Sequence, residues 1–264
     1  MSYSDVIDYK IIGNDMQYVE IELDPRESAI AEAGSMMFKA LGIEMTTIAG
    51  DGTGQDQGLV STLINTGKRV LTGESLFNTV FTNYGRTKAR VAFAAPYPGT
   101  ILPMNLKALD GKLICQKDAF LAAAKGVRIG IAMQRKIMTG LFGGEGFILQ
   151  KLEGDGMAFI HAGGTVRQFM LKPGRSFHVD TGCLVAMEHT VQYDIVKSGS
   201  LRTMAFGGEG LFLAQLTGPG RVWLQSLPFA RFSERVLENA SGSSRVGETG
   251  SLLGSVGDLL NGDG

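Results

Sequence analysis

The chain has 264 residues, 44% of them hydrophobic and 19% charged, and its 25 basic side chains are offset by 26 acidic ones to a net charge of −1. This is a globular composition with enough volume for a full core, which excludes extensive disorder. The balanced, dispersed charge argues against DNA or RNA as the main partner, because tight nucleic-acid binding calls for a basic excess or stripe.

In chain order, the N-terminal MSYSDVIDYK has neither the apolar run of a secretory signal nor the Arg-rich character of a mitochondrial presequence. A cytoplasmic protein is expected. Tyr18 to Leu23 alternates polar and apolar residues, as a half-buried strand does. The Gly-rich AGDGTGQDQG from Ala49 to Gly58 reads as an inserted loop, and apolar residues at Leu59, Leu63, Val70 and Leu71 partly fit a helical face over Leu59 to Leu71. No run reaches the roughly 20 apolar residues of a bilayer-spanning helix. AFAAPYPGTILPM is broken by prolines and FLAAAKGVRIGIAM by charges, so no integral membrane segment is expected. Cys115 and Cys183 sit in apolar stretches without CxxC spacing, which suits a reducing compartment. Arg221 to Gln225 alternates again, and PG, DG, GDG and GPG punctuate the runs as turns. Ser233 is placed as the N-cap of a short helix, SERVLENA, and a flexible Gly/Ser-rich tail follows Ala240.

Self-similarity organises these elements. FGGEGFILQKLEGDG, from Phe142 to Gly156, returns 64 residues later as FGGEGLFLAQLTGPG, with nine of fifteen positions identical. CQKDAFLAAAKGVRIGI aligns with VDTGCLVAMEHTVQYDI at the same offset, and the copies open alike, Gly99-Thr100-Ile101 matching Gly164-Thr165-Val166. A third copy is visible where LDPRESAIAEAGSMM matches LKPGRSFHVDTGCLV at Leu, Pro, Ser and Gly. We therefore expect an all-β protein with little helix, built of three pseudo-repeats of about 64 residues at about 17–97, 98–162 and 163–229. Residues 1–232 form one compact β domain in this reading, and 233–264 a helix and tail. FLAAAKG has helical propensity, but its partners LVAMEHT and MMFKALG do not share it, so all three are expected as strands.

The most site-like feature is a recurring Gly-Glu element: Gly73-Glu74, Gly144-Glu145-Gly146 and Gly208-Glu209-Gly210. A carboxylate between glycines can approach a ligand or accept backbone N–H groups. The favoured reading is structural, each Glu closing a turn or pairing with Arg69, Lys136 or Arg202 upstream. A second column, Glu32 and Asp180, is interrupted by Gln116, which disfavours a symmetric metal site on three acids. His161, His178 and His189 lack HxH or HExxH spacing and are read as strand histidines in or next to the third copy. No GxSxG, Walker or GxGxxG pattern is present. No catalytic residue, metal site or cofactor is therefore expected.

With GESLF at Gly73 to Phe77, the two GGEG blocks and EAGSMM at Glu32 to Met37, the chain resembles a family of largely uncharacterised prokaryotic proteins related to a eukaryotic mitochondrial biogenesis protein called altered inheritance of mitochondria, number twenty-four. The resemblance covers about residues 3 to 230. It implies a compact protein of the tryptophan RNA-binding attenuator type, with β-sandwich-like units around a pseudo-threefold axis. It brings no catalytic residues.

Three functions compete on these grounds. The leading one is a non-enzymatic, homo-oligomeric β scaffold or interaction protein with an unidentified protein partner. The second is a small-molecule binder with a pocket between repeats, and the third an enzyme using His178, Asp180 or His189.

Overall fold

Short alternating runs cut by Gly, Pro and Asp satisfy their backbone groups only by pairing with one another. The computed structural model of the protein describes residues 4–49, 77–135, 147–197 and 212–242, and among these it contains nineteen strands and one α-helix. The all-β expectation is met. The chain divides into a β unit, Met1–Pro228, and a second unit, Phe229–Gly264.

After an N-terminal β1 (Asp8–Ile12), the strands fall into three sets of six. The first is β2 (Tyr18–Leu23), β3 (Ser28–Glu32), β4 (Met36–Lys39), β5 (Ile43–Ala49), β6 (Phe77–Asn83) and β7 (Ala89–Ala94). The second is β8 (Gly99–Asn105), β9 (Lys112–Gln116), β10 (Phe120–Ala124), β11 (Arg128–Arg135), β12 (Phe147–Glu153) and β13 (Met157–Gly163). The third is β14 (Val166–Leu171), β15 (Ser176–Asp180), β16 (Leu184–Glu188), β17 (Gln192–Lys197), β18 (Phe212–Thr217) and β19 (Gly220–Gln225).

Pairing is antiparallel and follows one order in each set. In the first, β2 pairs with β7, β7 with β4, β3 with β6 and β6 with β5. The corresponding pairs recur among β8–β13 and among β14–β19. Even the irregularity recurs: the register shifts between Met36 and Phe38, between Phe120 and Ala122, and between Leu184 and Ala186. Successive sets are stitched together by β3 with β10 and by β9 with β16. The result is two six-stranded sheets, β5-β6-β3-β10-β13-β8 and β11-β12-β9-β16-β19-β14, with a four-stranded sheet β1-β2-β7-β4 and a three-stranded sheet β15-β18-β17.

Both six-stranded sheets are covered on both faces. Val19, Ile21, Val91 and Phe93 of the four-stranded sheet pack on Ala29, Ala31 and Ala122. From the other face Ile30 and Ala123 meet Leu113, Cys115, Val185 and Trp223. Leu149, Leu184 and Val222 in turn pack on Val179, Ala214 and Leu216 of the three-stranded sheet. This explains why FLAAA is a strand: all five residues of β10 are buried inside a doubly covered sheet, where small side chains permit close packing and helical propensity is overridden. The segments MMFK and LVAME are strands as well.

Two local features depart from the sequence reading. The helix, α1 (Phe229–Gly242), begins four residues before the expected Ser233, whose hydroxyl donates to the Ala230 carbonyl at 3.0 Å inside the helix instead of capping it. Three short 3₁₀ turns, Leu106–Leu109, Lys117–Ala119 and Thr181–Cys183, stand beside the strands, where the sequence pattern carries no helical signal. The expected helix at 59–71 and the tail beyond 242 lie outside the described residues.

Candidate functional site

All three Gly-Glu elements, Gly73-Glu74, Gly144-Glu145-Gly146 and Gly208-Glu209-Gly210, lie outside the described residues, as do Arg69, Lys136 and Arg202. In chain order they fall between β5 and β6, between β11 and β12, and between β17 and β18. The second carboxylate column is visible. Glu32, Gln116 and Asp180 are the last residues of β3, β9 and β15. Asp180 is an N-cap, its carboxylate accepting the Gly182 N–H at 2.8 Å, while Gln116 makes no such bond.

Glu32 has a different environment. It is partly buried where β3 meets β10, and burial pushes its pKa up to about 7, helped by the nearby Asp118 carboxylate and opposed by Lys117. Tyr97, in the link between β7 and β8, senses the same acids: burial, then Asp118 and Glu32, raise its phenol to about 12. The ring of Tyr97 stands edge-on to His161 of β13, with centroids 4.4 Å apart. These four side chains, on four separate stretches of chain, are what folding brings together at the seam of the first two strand sets.

His161 is the anomaly among them. It is 1% exposed, and neither ring nitrogen makes a hydrogen bond of good geometry. Burial holds its pKa down to about 4, against a weaker upward pull from the Tyr97 backbone. Room for the imidazole is left by Gly99, where an added Cβ would lie 2.6 Å from Nε2. His161 lies on the last strand of the second set, next to the third, as expected. His178 is on β15, facing Gln215 at 3.2 Å, and His189 is an exposed turn residue rather than a strand one.

A signal for the anomaly was present in the repeat. The residue 64 positions after His161 is Gln225, whose Oε1 accepts the Gly163 N–H at 2.7 Å and whose Nε2 donates to the Gly182 carbonyl at 2.8 Å. The residue 65 positions before Gly163 is Pro98, which has no N–H to offer.

Chemically, a carboxyl that titrates near neutrality beside a second acid can exchange a proton at physiological pH. The fully buried imidazole, however, offers no approach to a substrate. The cavity of about 350 Å³ in the β unit lies elsewhere, lined by residues including Leu102, Met104, Leu109, Gln168, Arg221 and Trp223. Its one charged lining residue is already held, because Glu188 accepts both the Arg221 backbone N–H at 2.9 Å and its Nε–H. Among the described residues no group of three or more His, Cys, Asp or Glu is placed to hold a metal ion, and both cysteines are free thiols. Among the same residues no helix is long and apolar enough to cross a membrane.

Comparison with known proteins agrees with this architecture. The family described as Mitochondrial biogenesis AIM24 matches residues 9–227. A crystal structure of a Streptococcus pyogenes protein is similar in fold, with a TM-score of 0.68 at 22% identity, covering 88% of this chain and 99% of that one. No curated protein matches significantly.

Proposed function

The chain belongs to the mitochondrial biogenesis AIM24 family, and from that premise we propose that it is a non-enzymatic, self-associating β scaffold of the cytoplasm that presents a surface to other proteins. Its three strand sets act as structural copies of one unit, a reading supported by the recurrence of pairing and of the register shift. The observation that carries the proposal is an apolar edge left open: Met36, Met37 and Phe38 of β4 are all exposed. An exposed apolar edge strand offers unpaired backbone groups on which another chain can pair. Light scattering of the full chain and of a chain ending at Gly242 tests it. An oligomer in both is expected; a monomeric full chain overturns it.

A second reading, a small-molecule binder, is favoured by the cavity between β8 on one strand set and β14 and β19 on the next. Its ligand would be uncharged and largely apolar, since Arg221 is occupied by Glu188 and lies over the Trp223 ring at 5.7 Å. A thermal-shift screen of apolar compounds tests this reading, a hit being lost on Leu102→Trp, which fills the cavity.

A further inference from the structure

We propose that β4 of one copy of this chain pairs antiparallel with β15 of a second copy, setting Phe38 opposite Val179 and Lys39 opposite His178. The inference rests on the self-association reading and specifies its joint. Within the chain, the third strand of one set pairs twice with the second strand of the preceding set: β10 with β3, and β16 with β9. By that rule β4 lacks a preceding set and β15 lacks a following one. Both lie at sheet edges, β4 in the four-stranded sheet and β15 in the three-stranded one.

Exposure records the missing partner. Leu121 of β10 and Val185 of β16, which sit at the register shift, are each 1% exposed. Met37, at the corresponding shift in β4, is 56% exposed. The sequence keeps an apolar residue at all three places, but only two are covered. In the other two sets this residue is buried in the core of the preceding set, Leu121 with Val19, Ala31 and Phe93 and Val185 with Leu113, Cys115 and Ala123, whereas Met37 has no such core to enter.

The register follows from the two internal joints. Ala122 faces Ala31 and Ala186 faces Cys115, followed by Ala123 with Ile30 and Met187 with Ile114. In β4 the residues just past the shift are Phe38 and Lys39. In the second strand of each set the matching residues are one and two before the strand end at Glu32, Gln116 or Asp180, which gives Val179 and His178 in β15. The completed sheet would run β17-β18-β15, then β4-β7-β2-β1 of the next copy, extending the order already seen twice. The joint is heterologous, so it closes as a ring of copies or continues as a filament.

Cross-linking between differently labelled copies tests the joint. In a Cys183→Ser background, protein carrying Lys39→Cys is mixed with protein carrying His178→Cys and oxidised mildly. The expected result is a disulfide dimer containing one of each, and none when Asp194→Cys replaces His178→Cys. Met37→Lys, which places a charge on the edge, is expected to shift the assembly to monomer by light scattering while leaving the far-UV circular dichroism unchanged. An oligomer that forms no mixed dimer and survives Met37→Lys overturns this joint but leaves self-association standing. A disulfide confined within single chains carrying both cysteines also overturns it, and a monomeric parent protein overturns both readings.

Discussion

Gln225 and Gly163 are joined across the seam between two strand sets, the carboxamide oxygen of Gln225 accepting the Gly163 N–H at 2.7 Å. The same side chain donates to the Gly182 carbonyl at 2.8 Å, so one buried amide satisfies two backbone groups that strand pairing leaves over. Gln225→Leu keeps the volume and strips both partners. The expected loss is about 2–6 kcal/mol of unfolding free energy, from two buried groups at roughly 1–3 kcal/mol each. Chemical denaturation reads it directly; a loss under about 0.5 kcal/mol contradicts the assigned role.

At the earlier seam the prediction concerns pH. His161 has a folded pKa of about 4 against 6.5 unfolded. Its neutral form is therefore favoured in the fold, and stability that is complete above pH 6.5 falls as pH drops toward 4, by up to about 3 kcal/mol. Glu32 runs the other way. Its folded pKa of about 7 exceeds the unfolded 4.5, so its contribution is complete below pH 4.5 and is lost as pH rises through 7.

Glu32→Gln separates the two effects, because it installs the residue type found at Gln116 and abolishes only the alkaline loss. At pH 8 the variant should exceed the parent by about 1–3 kcal/mol, the gap closing toward pH 4.5. A gap that stays constant with pH would show that the carboxyl does not titrate as described.

Close backbone approach sets a third expectation. At Gly163 an added Cβ would lie 2.0 Å from the Leu227 carbonyl oxygen and 2.8 Å from the Tyr97 ring. Backbone cannot yield as a flexible side-chain end does, so Gly163→Ala should destabilise by at least the roughly 1–3 kcal/mol of ordinary overpacking. Gly130→Ala, where the added carbon meets nothing within 4 Å, is the control. Equal melting temperatures for the two variants would refute the packing argument.

The thiols offer a fourth test. Cys115 is fully buried, and burial pushes its thiol up to about 12, whereas Cys183 is only partly buried. A disulfide reagent at pH 8 should therefore modify Cys183 in the native protein and reach Cys115 only on unfolding. Rapid modification of two thiols without denaturant is the contrary outcome.

The sequence by itself determined that the chain is built of strands: alternation in Tyr18–Leu23, the glycine-marked turns and the 64-residue self-match point to β structure without any knowledge of contacts. It also corrected a local bias, since FLAAA has helical propensity but its aligned partner LVAME does not. These are local or periodic properties, and periodicity survives in one dimension. What it did not determine is which copies of an element are covered. Met37, Leu121 and Val185 read alike as apolar strand residues, yet Leu121 and Val185 are buried in the core of the preceding set and Met37 is exposed. The grouping of Glu32, Tyr97, Asp118 and His161 was equally invisible, because those residues come from four stretches of chain and meet only where β3 joins β10. The shifted pKa values of Glu32, Tyr97 and His161 arise from desolvation, joined for Glu32 and Tyr97 by neighbouring charge, quantities defined by distances through space and not by spacing along the chain.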